Sequence, residues 1–330
     1  MTNRFLDSFD HYNNLDYKWD ESQNATISST TGRYGTAGAD LSFAGTVYIQ
    51  KNFTDYPTGL AIGVAVYRTG VPDGGDLITV LDTIGGTYRQ VGLFLDYNGN
   101  LGVSSSGSTL FTTTKIIQPN SWYYVELLTD ISLTGSASVY VNGNTWGSGT
   151  GVTQSTGSGW GNAVRFNGVG RPYLDDIYIN DTSGSLNNTV WGDVRVEAVY
   201  PDNDGFWQQW DLSTGSLGWD IVSNNPPDLG QYLSTGSLSV KSTFLMSSLS
   251  AGTGTIKSVQ QLRLAEKTDI TVRETRNILR LPSGVEYVGE TNAMTEDPEY
   301  YQTIWQIRPD NVSWNETTLD ETQFGIEAVS

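Results

Sequence analysis

Apolar and polar residues alternate along most of the first half of the chain, in short runs separated by turn residues. Residues 60–67 and 90–97 place apolar side chains at every second position. A period of two is typical of a β-strand that buries one face and exposes the other. Residues 139–141 lead directly into Asn142-Gly143, a strong signal for a β-hairpin. The pattern predicts a sandwich or jelly roll of short strands.

The alternation also suggests where a first domain ends. Residues 147–161 are almost wholly Gly, Ser and Thr, and we expect them to form a flexible connection. Residues 171–180 have the pattern of a closing strand, and the polar stretch 181–188 follows it. Strand character restarts at 190–199. These features predict a jelly-roll domain over 1–185 and a second β-rich domain over 186–330.

The second half of the chain is less regular. Residues 258–280 fit either strands or a helix, because their apolar positions match both spacings. Strands are favoured, since residues 268–272 are mostly β-branched and a turn signal follows at 281–284. Short strands are also predicted at 286–289 and 324–329. The fold class is therefore all-β, with the first sandwich followed by a second, smaller one.

Composition narrows the classes of function. The chain has 330 residues, enough for two domains, and its formal net charge is −18. Because binding to phosphate groups requires clustered basic side chains, neither nucleic acid nor an anionic membrane surface is an expected partner. The chain contains 0 cysteines, which excludes disulfides and thiolate metal sites. Neither a signal peptide nor an apolar run long enough for a membrane span is expected.

Several short motifs follow one another in a distinctive order. They are Asp7-Ser8-Phe9-Asp10-His11-Tyr12, Gly32-Arg33-Tyr34-Gly35, Trp122-Tyr123-Tyr124-Val125-Glu126-Leu127, Asp175-Asp176-Ile177-Tyr178 and Gly192-Asp193-Val194-Arg195-Val196. This order resembles a group of virion structural proteins of tailed bacteriophages, of the minor tail type. Their first half is similar to the laminin-G or concanavalin-like jelly roll. The match is weaker near the C-terminus, where residues 308–312 replace the family's Asp-Pro-x-Thr-Gly run.

The resemblance implies a non-enzymatic function in particle assembly. It predicts a tail-associated location in the virion, contacts with other virion proteins of the tail, baseplate or capsid, and a homo-oligomer. A capsid decoration protein is an alternative position in the particle. A carbohydrate-binding module that recognises host surface glycans is an alternative function. A glycan hydrolase is a third hypothesis, which requires two facing carboxylates in a cleft.

Candidate chemistry is sparse. The chain has one histidine, His11, for which a structural hydrogen-bonding role is expected. Asp175 and Asp176 are candidate calcium ligands, because hard cations prefer carboxylate oxygens. Adjacent residues of a strand point to opposite faces, so these two carboxylates need a β-bulge to share one ion. No other cofactor is expected.

Aromatic residues near loops are the candidates for contact with a glycan or a neighbouring subunit. Aromatic rings can stack on sugar rings, but they also fill sandwich cores and subunit interfaces. The candidates in the first half lie in or beside Gly-rich stretches, and those in the second half lie in the entry to the second domain. They are Tyr34, Trp146, Trp160, Tyr173, Trp207 and Trp210.

Overall fold

The computed structural model describes residues 3–155, 158–250 and 254–330. The chain forms two compact units, one of residues 3–10 and 14–196 and the other of residues 11–13 and 197–330. The first unit therefore extends to Val196, beyond the expected boundary at residue 185. Within the described residues all paired strands are antiparallel and the helices are short. This confirms the prediction of an all-β, sandwich-type chain.

The first unit is built from strands β1–β15 and a short 3₁₀ helix at Leu15–Tyr17. The strands are β1 Asn3–Asp7, β2 Glu21–Gln23, β3 Thr26–Ser28, β4 Gly38–Asp40, β5 Tyr48–Asn52, β6 Gly59–Arg68, β7 Gly75–Asp82, β8 Tyr88–Leu95, β9 Asn100–Ser105, β10 Ser108–Ile116, β11 Trp122–Asp130, β12 Gly135–Val141, β13 Asn144–Gly151, β14 Ala163–Asn167 and β15 Pro172–Asp181.

In the described part of the first unit, these strands form an eight-stranded and a seven-stranded sheet. Sheet A has the order β13-β12-β11-β6-β15-β4-β3, with β1 also paired to β15, and sheet B has the order β10-β9-β8-β7-β14-β5-β2. Apolar side chains from alternate positions of both sheets are fully buried, among them Val64 and Val125 of sheet A and Val80, Leu93 and Phe166 of sheet B. Burial of these apolar faces is the main stabilising term of a sandwich.

The outer face of sheet A is covered as well. The sequence predicts one exposed face for residues 60–67, yet Ala61 and Ala65 are 0% exposed. Val190, Trp191 and neighbouring residues pack over this face. Residues 190–199 were expected to form a strand, but they have no regular secondary structure. Their alternating apolar side chains serve to cover a sheet rather than to extend one.

The Gly-rich stretch after the Asn142-Gly143 turn is also more ordered than expected. Its first part forms β13, the edge strand of sheet A. A Cβ added at Gly147 would lie 2.7 Å from the Phe111 ring of β10, and one at Gly149 would lie 2.9 Å from it. The glycines are therefore required for close packing, so the expectation of a flexible connection is wrong for this part.

The second unit contains strands β16–β24 and helices α1 and α2. They are β16 Pro201–Gln208, β17 Asp211–Leu212, α1 Gly218–Val222, β18 Leu233–Ser234, β19 Lys241–Met246, β20 Val259–Ala265, β21 Glu274–Arg280, β22 Glu286–Ala293, β23 Glu299–Trp305, α2 Glu316–Asp320 and β24 Gln323–Ala328. Neither helix, among the residues described, has the length and apolar character that crossing a membrane requires.

The second unit consists of a sheet in the order β16-β19-β24-β21-β22 and the separate pairs β20-β23 and β17-β18. The formation of β20 and β21 confirms that strands, rather than a helix, occupy most of 258–280, although residues 268–272 lie outside any strand.

The interior of the second unit includes polar groups. Arg263 Nη2 donates to the carbonyl of Thr275 at 3.0 Å and to Asn292 Oδ1 at 2.8 Å. Burial lowers the pKa of Arg263 to about 10.

Candidate functional site

The outer face of sheet B carries a row of polar side chains that hydrogen-bond to one another across adjacent strands. Arg89 on β8 donates through Nη2 to Asp76 Oδ1 on β7 at 2.8 Å and to Ser104 Oγ on β9 at 2.6 Å. Thr79 Oγ1 accepts from Asn167 Nδ2 on β14 at 3.0 Å. Thr79 in turn donates to Asp76 Oδ2 at 3.3 Å. This half of the row joins β9, β8, β7 and β14.

The row continues from β14 to the other edge of sheet B. Arg165 Nε donates to Gln50 Oε1 on β5 at 2.8 Å, and Gln50 Nε2 donates to Glu21 Oε1 on β2 at 2.9 Å. The Arg165 guanidinium also lies over the Tyr48 ring, with its carbon 4.0 Å from the ring centroid. Arg165 Nη2 is 3.6 Å from Glu21 Oε2. These contacts fix the orientation of the guanidinium plane.

We call this set of side chains the polar row. It consists of Glu21, Tyr48, Gln50, Asp76, Thr79, Arg89, Ser104, Arg165 and Asn167.

A surface cavity of about 310 Å³ opens in the middle of the polar row. Its lining consists of Asp76, Thr79, Leu81, Arg89, Arg165, Asn167 and Val169. Ligand pockets in proteins commonly measure about 300–1,000 Å³ and combine apolar walls with a few well-placed polar groups. The cavity has both components, at the lower end of that size range.

The alternation of the strands positions the polar row. On β14, Val164 and Phe166 point into the core and are 0% exposed, so Arg165 and Asn167 between them point outward. Gly92 provides room for one ion pair, because a Cβ there would lie 2.1 Å from Arg89 Nη2 and 2.3 Å from Asp76 Oδ1. The site therefore rests on strand backbones rather than on loops, which keeps its geometry rigid.

The candidate calcium ligands lie elsewhere, on β15 of sheet A. The strand has an irregularity between Asp175 and Tyr178, and Asp176 has a φ of 51°. The bulge that the sequence argument required is thus present. However, Asp175 accepts hydrogen bonds from the backbone N–H groups of Arg33 and Asp176 at 2.7 Å each, and Asp176 accepts one from Val196 N–H at 2.7 Å. These bonds give both carboxylates a structural function.

No cluster of three or more metal-ligating side chains occurs in the part of the chain that the structure describes. Burial raises the pKa of Asp175, and the neighbouring charge of Asp176 raises it further. Burial also raises the pKa of Asp176, although Arg33 and the Val196 N–H act in the opposite direction. Carboxyl groups that favour the protonated state are poor ligands for a hard cation.

Four of the five motifs that carry the phage resemblance, those at 32–35, 122–127, 175–178 and 192–196, come together on this covered face. Arg33 Nη2 donates to Asp193 Oδ2 at 2.8 Å, and its Nη1 lies 3.5 Å from Asp176 Oδ2. Glu126 Oε1 accepts from the backbone N–H groups of Trp191 at 3.0 Å and of Gly192 at 2.8 Å. Arg33, Glu126 and Asp176 therefore hold residues 191–196 against sheet A.

The aromatic candidates of the first unit each contact a different neighbouring side chain. Tyr34 is 50% exposed and lies 4.6 Å from the Arg195 guanidinium, whereas Tyr173 stacks on Tyr67. Trp146 contacts Tyr123, and Trp160 contacts Tyr56. Among the described residues, no ring contact joins any two of these four candidates. Contact of these four residues with a glycan or a neighbouring subunit stays a prediction.

The candidates in the second unit serve its packing. Trp207 Nε1 donates to Glu286 Oε1 at 2.5 Å, and Trp210 Nε1 donates to the carbonyl of Val240 at 3.2 Å. The ring of His11 lies 4.6 Å from that of Tyr12 and 5.3 Å from that of Tyr300. Trp207 and Trp210 therefore each have a hydrogen-bond partner within the second unit, and the hydrogen-bonding role of the His11 side chain stays a prediction.

Sequence reasoning missed the polar row. Its members are single polar residues at the outward positions of ordinary alternating strands, and they come from separate places between Glu21 and Asn167. Nothing in the sequence indicates that β14 pairs with both β5 and β7, which is what brings Arg165 beside Gln50 and Asn167 beside Thr79. The one available signal was the placement of Arg89 and Arg165 within strands of a chain with few basic residues.

Comparison with known proteins gives similarities of fold only. No family model matches the chain, and no curated protein sequence does. An endo-β-1,4-glucuronan lyase from Trichoderma reesei matches 54% of this chain and 95% of its own, with 13% identity and a TM-score of 0.42. The globular domain of T. cruzi calreticulin matches 54% and 88%, with 14% identity and a TM-score of 0.38. A Trypanosoma rangeli sialidase in complex with sialic acid matches 47% of this chain and 27% of its own, with 16% identity and a TM-score of 0.37.

These comparisons correct the expected function. The phage resemblance predicts a structural component of a tail or a capsid, but the similar solved structures are enzymes and a calreticulin domain, and none of those named here is a virion protein. The assembly function is therefore wrong. The alternative function, a carbohydrate-binding module, stays a prediction. At this level of similarity no activity and no residue role passes to this chain. The virion location, the homo-oligomer and the motif resemblance itself stay predictions.

Proposed function

We propose that the chain is a carbohydrate-binding protein that holds a glycan on the outer face of sheet B. The observation that carries the proposal is the polar row around its cavity. A sugar presents hydroxyl groups that donate and accept hydrogen bonds, and the row offers guanidinium donors, carboxylate acceptors, and amide and hydroxyl groups that do both. These groups lie side by side on strands that the sandwich core holds in place.

Preorganisation supports the proposal. The side chains of Asp76 and Arg89 are only 18% and 32% exposed, and they hold each other in a two-point ion pair. Tyr48 and Gln50 hold Arg165 in the same way, by stacking and by a hydrogen bond. Because these side chains are already ordered, a ligand would not have to immobilise them on binding. Leu81 and Val169 would give the apolar wall against which a sugar ring packs.

We further propose that this site binds without cleaving. Both carboxylate oxygens of Asp76 accept hydrogen bonds from Arg89, so the group is already engaged as a structural acceptor. The test is to incubate the protein with each polysaccharide that it binds and to measure new reducing ends and unsaturated products. We expect neither product. Product formation that disappears in Asp76→Asn would show instead that the site is catalytic.

The binding proposal is tested by titration calorimetry against a panel of neutral and acidic oligosaccharides. Asn167→Ala removes an amide from the cavity wall, so we expect it to weaken binding of any glycan that the wild type binds by about tenfold, the cost of one or two hydrogen bonds. The matched control is Asn144→Ala, which removes an exposed amide from the edge of sheet A. Equal losses in both variants, or binding to no member of the panel, would contradict the proposal.

A further inference from the structure

The charges around the cavity point to a particular class of glycan. The whole chain has 36 acidic and 18 basic residues, but the cavity lining contains two arginines, Arg89 and Arg165, and one carboxylate, Asp76. The lining therefore has a local charge of +1, the difference between two positive groups and one negative group, in a protein of net charge −18. The half-exposed Glu21 carboxylate, which lies outside the lining and 3.6 Å from Arg165, offsets part of this charge. The solubility of so acidic a protein does not require basic side chains at this place, so solubility does not explain why the lining carries two arginines.

The two guanidinium groups have hydrogen-bonding capacity left over. Arg89 uses Nε and Nη2 for Asp76 and Ser104, and Arg165 uses Nε for Gln50. Within the described residues, the Nη1 atom of each has no recorded hydrogen-bond partner. Arg165 Nη2 lies 3.6 Å from the half-exposed Glu21 carboxylate, beyond hydrogen-bond distance. Both groups can therefore donate to a ligand while they keep their present contacts.

We infer that the site prefers glycans built from uronic acids, with the sugar carboxylate bound between Arg89 and Arg165. This inference rests on the proposed function and names its ligand class. A planar carboxylate matches the fork that Nη1 and Nη2 of Arg165 form, whereas Arg89 can add one bond from its Nη1. Such charge-assisted bonds are roughly twice as strong as neutral ones. Asp76 does not repel the ligand strongly, because Arg89 already compensates its charge through two hydrogen bonds.

The test compares two probes that differ only in the carboxylate. These are β-1,4-linked oligosaccharides of glucuronic acid and of glucose, of equal length, titrated into the intact chain by calorimetry. We expect the glucuronic acid oligomer to bind at least about tenfold more tightly at low ionic strength, and the difference to shrink as salt screens the charges. Tighter binding of the neutral oligomer, or equal binding, would overturn the inference and leave the proposed function standing.

Variants separate charge recognition from general damage. Arg165→Gln should remove the preference for the acidic oligomer, whereas Arg165→Lys should keep part of it, because the charge remains but the fork is lost. Glu21→Gln should strengthen the preference, since it removes a negative charge next to Arg165. The control is Arg276→Gln in the second unit, whose side chain is 31% exposed and, like Arg89, ion-paired.

The remaining outcomes are also decisive. A preference for the acidic oligomer that Arg165→Gln leaves unchanged, or that Arg276→Gln abolishes equally, would place anion binding elsewhere and overturn the inference. Binding of neither β-1,4 oligomer, while another glycan of the panel binds at the polar row, would overturn only the ligand class. If no glycan of the panel binds, both the proposed function and the preference for uronic acids are wrong.

Discussion

The two outer faces of the first unit use the same kinds of side chain in opposite ways. On sheet A, carboxylates such as Glu126 and Asp176 are buried beneath residues 189–196 and bind mainly backbone N–H groups. On sheet B, the carboxylates bind other side chains and remain partly exposed beside a cavity. A buried carboxylate with backbone partners stabilises the fold, whereas a partly exposed one with side-chain partners remains available to a ligand.

This comparison separates stability from recognition. Substitutions on the covered face should change the free energy of unfolding and leave glycan binding intact in the molecules that fold. Substitutions in the polar row should weaken glycan binding and leave the free energy of unfolding nearly unchanged. The predictions for Glu126, Gly63 and Asp76 run from the largest expected change in stability at neutral pH to the smallest, and the pH dependence of Asp175 is a separate measurement.

The largest effect is expected for Glu126→Ala. The change removes the acceptor of the Gly192 N–H and of the Tyr178 hydroxyl, whereas the Trp191 N–H keeps the Tyr178 hydroxyl oxygen as an acceptor at 3.0 Å. Buried donors without partners are costly, so we expect a loss of about 3 kcal/mol in urea denaturation. Glu126→Gln keeps an acceptor oxygen and should lose only about 1 kcal/mol. If Glu126→Ala loses no more stability than Glu126→Gln, then Glu126 does not hold Trp191 and Gly192 against sheet A.

Gly63→Ala should come next. A Cβ at this position would lie 2.1 Å from Cε1 of the fully buried Tyr178. The ring has no space to move into, so we expect a destabilisation of about 2 kcal/mol, measured by chemical denaturation. Gly236→Ala is the control, because nothing lies within 4 Å of its added Cβ. A tolerated Gly63→Ala would contradict the close packing of the covered face.

The buried carboxyl groups of sheet A predict a pH dependence. Burial raises the pKa of Asp175 above its ordinary value of 3.8, so the folded chain binds this proton more tightly than the unfolded chain. The contribution of such a group to stability is greatest below the ordinary pKa and is lost as the pH rises through the raised one. Relative to Asp175→Asn, the wild type should therefore lose stability between pH 5 and pH 8, by at most about 1.4 kcal/mol per pH unit.

The control for this pH dependence is Asp269→Asn. Arg273 and Thr271 hold the pKa of Asp269 below its ordinary value, so it is ionised in both states throughout that pH range. Its substitution should change stability by a constant amount. A constant difference between the wild type and Asp175→Asn as well would show that Asp175 is ionised in the folded chain.

The smallest effect on stability is expected for Asp76→Asn in the polar row. The ion pair with Arg89 is partly exposed, and such pairs contribute about 1 kcal/mol or less. Glycan binding should nevertheless weaken, because Arg89 loses the partner that orients it. Chemical denaturation measures the free energy of unfolding and calorimetric titration measures glycan binding, both on the same sample. A variant that loses several kcal/mol of stability but binds normally would reverse the assignment of the two faces.

The sequence predicts the fold far better than the site, for a physical reason. Alternation is a local property, so residues 60–67 and 90–97 indicate strands without knowledge of their neighbours. Which residues cover a sheet face and which strands pair with each other are long-range properties of the chain. The burial of Ala61 depends on residues far along the chain, and the hydrogen bond between Asn167 and Thr79 depends on which strands become neighbours. The sequence singles out Asp175 and Asp176 as an acidic pair, but only the structure shows that their carboxylates accept hydrogen bonds from backbone N–H groups.

The polar row draws its members from β2, β5, β7, β8, β9 and β14, which span residues 21 to 167. Strand β14 joins the two halves of the row but is the last of these strands along the chain. The recognition surface therefore exists only after the whole sandwich has closed, and an occupied site should raise the melting temperature of the first unit in proportion to the logarithm of ligand concentration. Truncation before residue 163 should abolish recognition even if the earlier strands still pair.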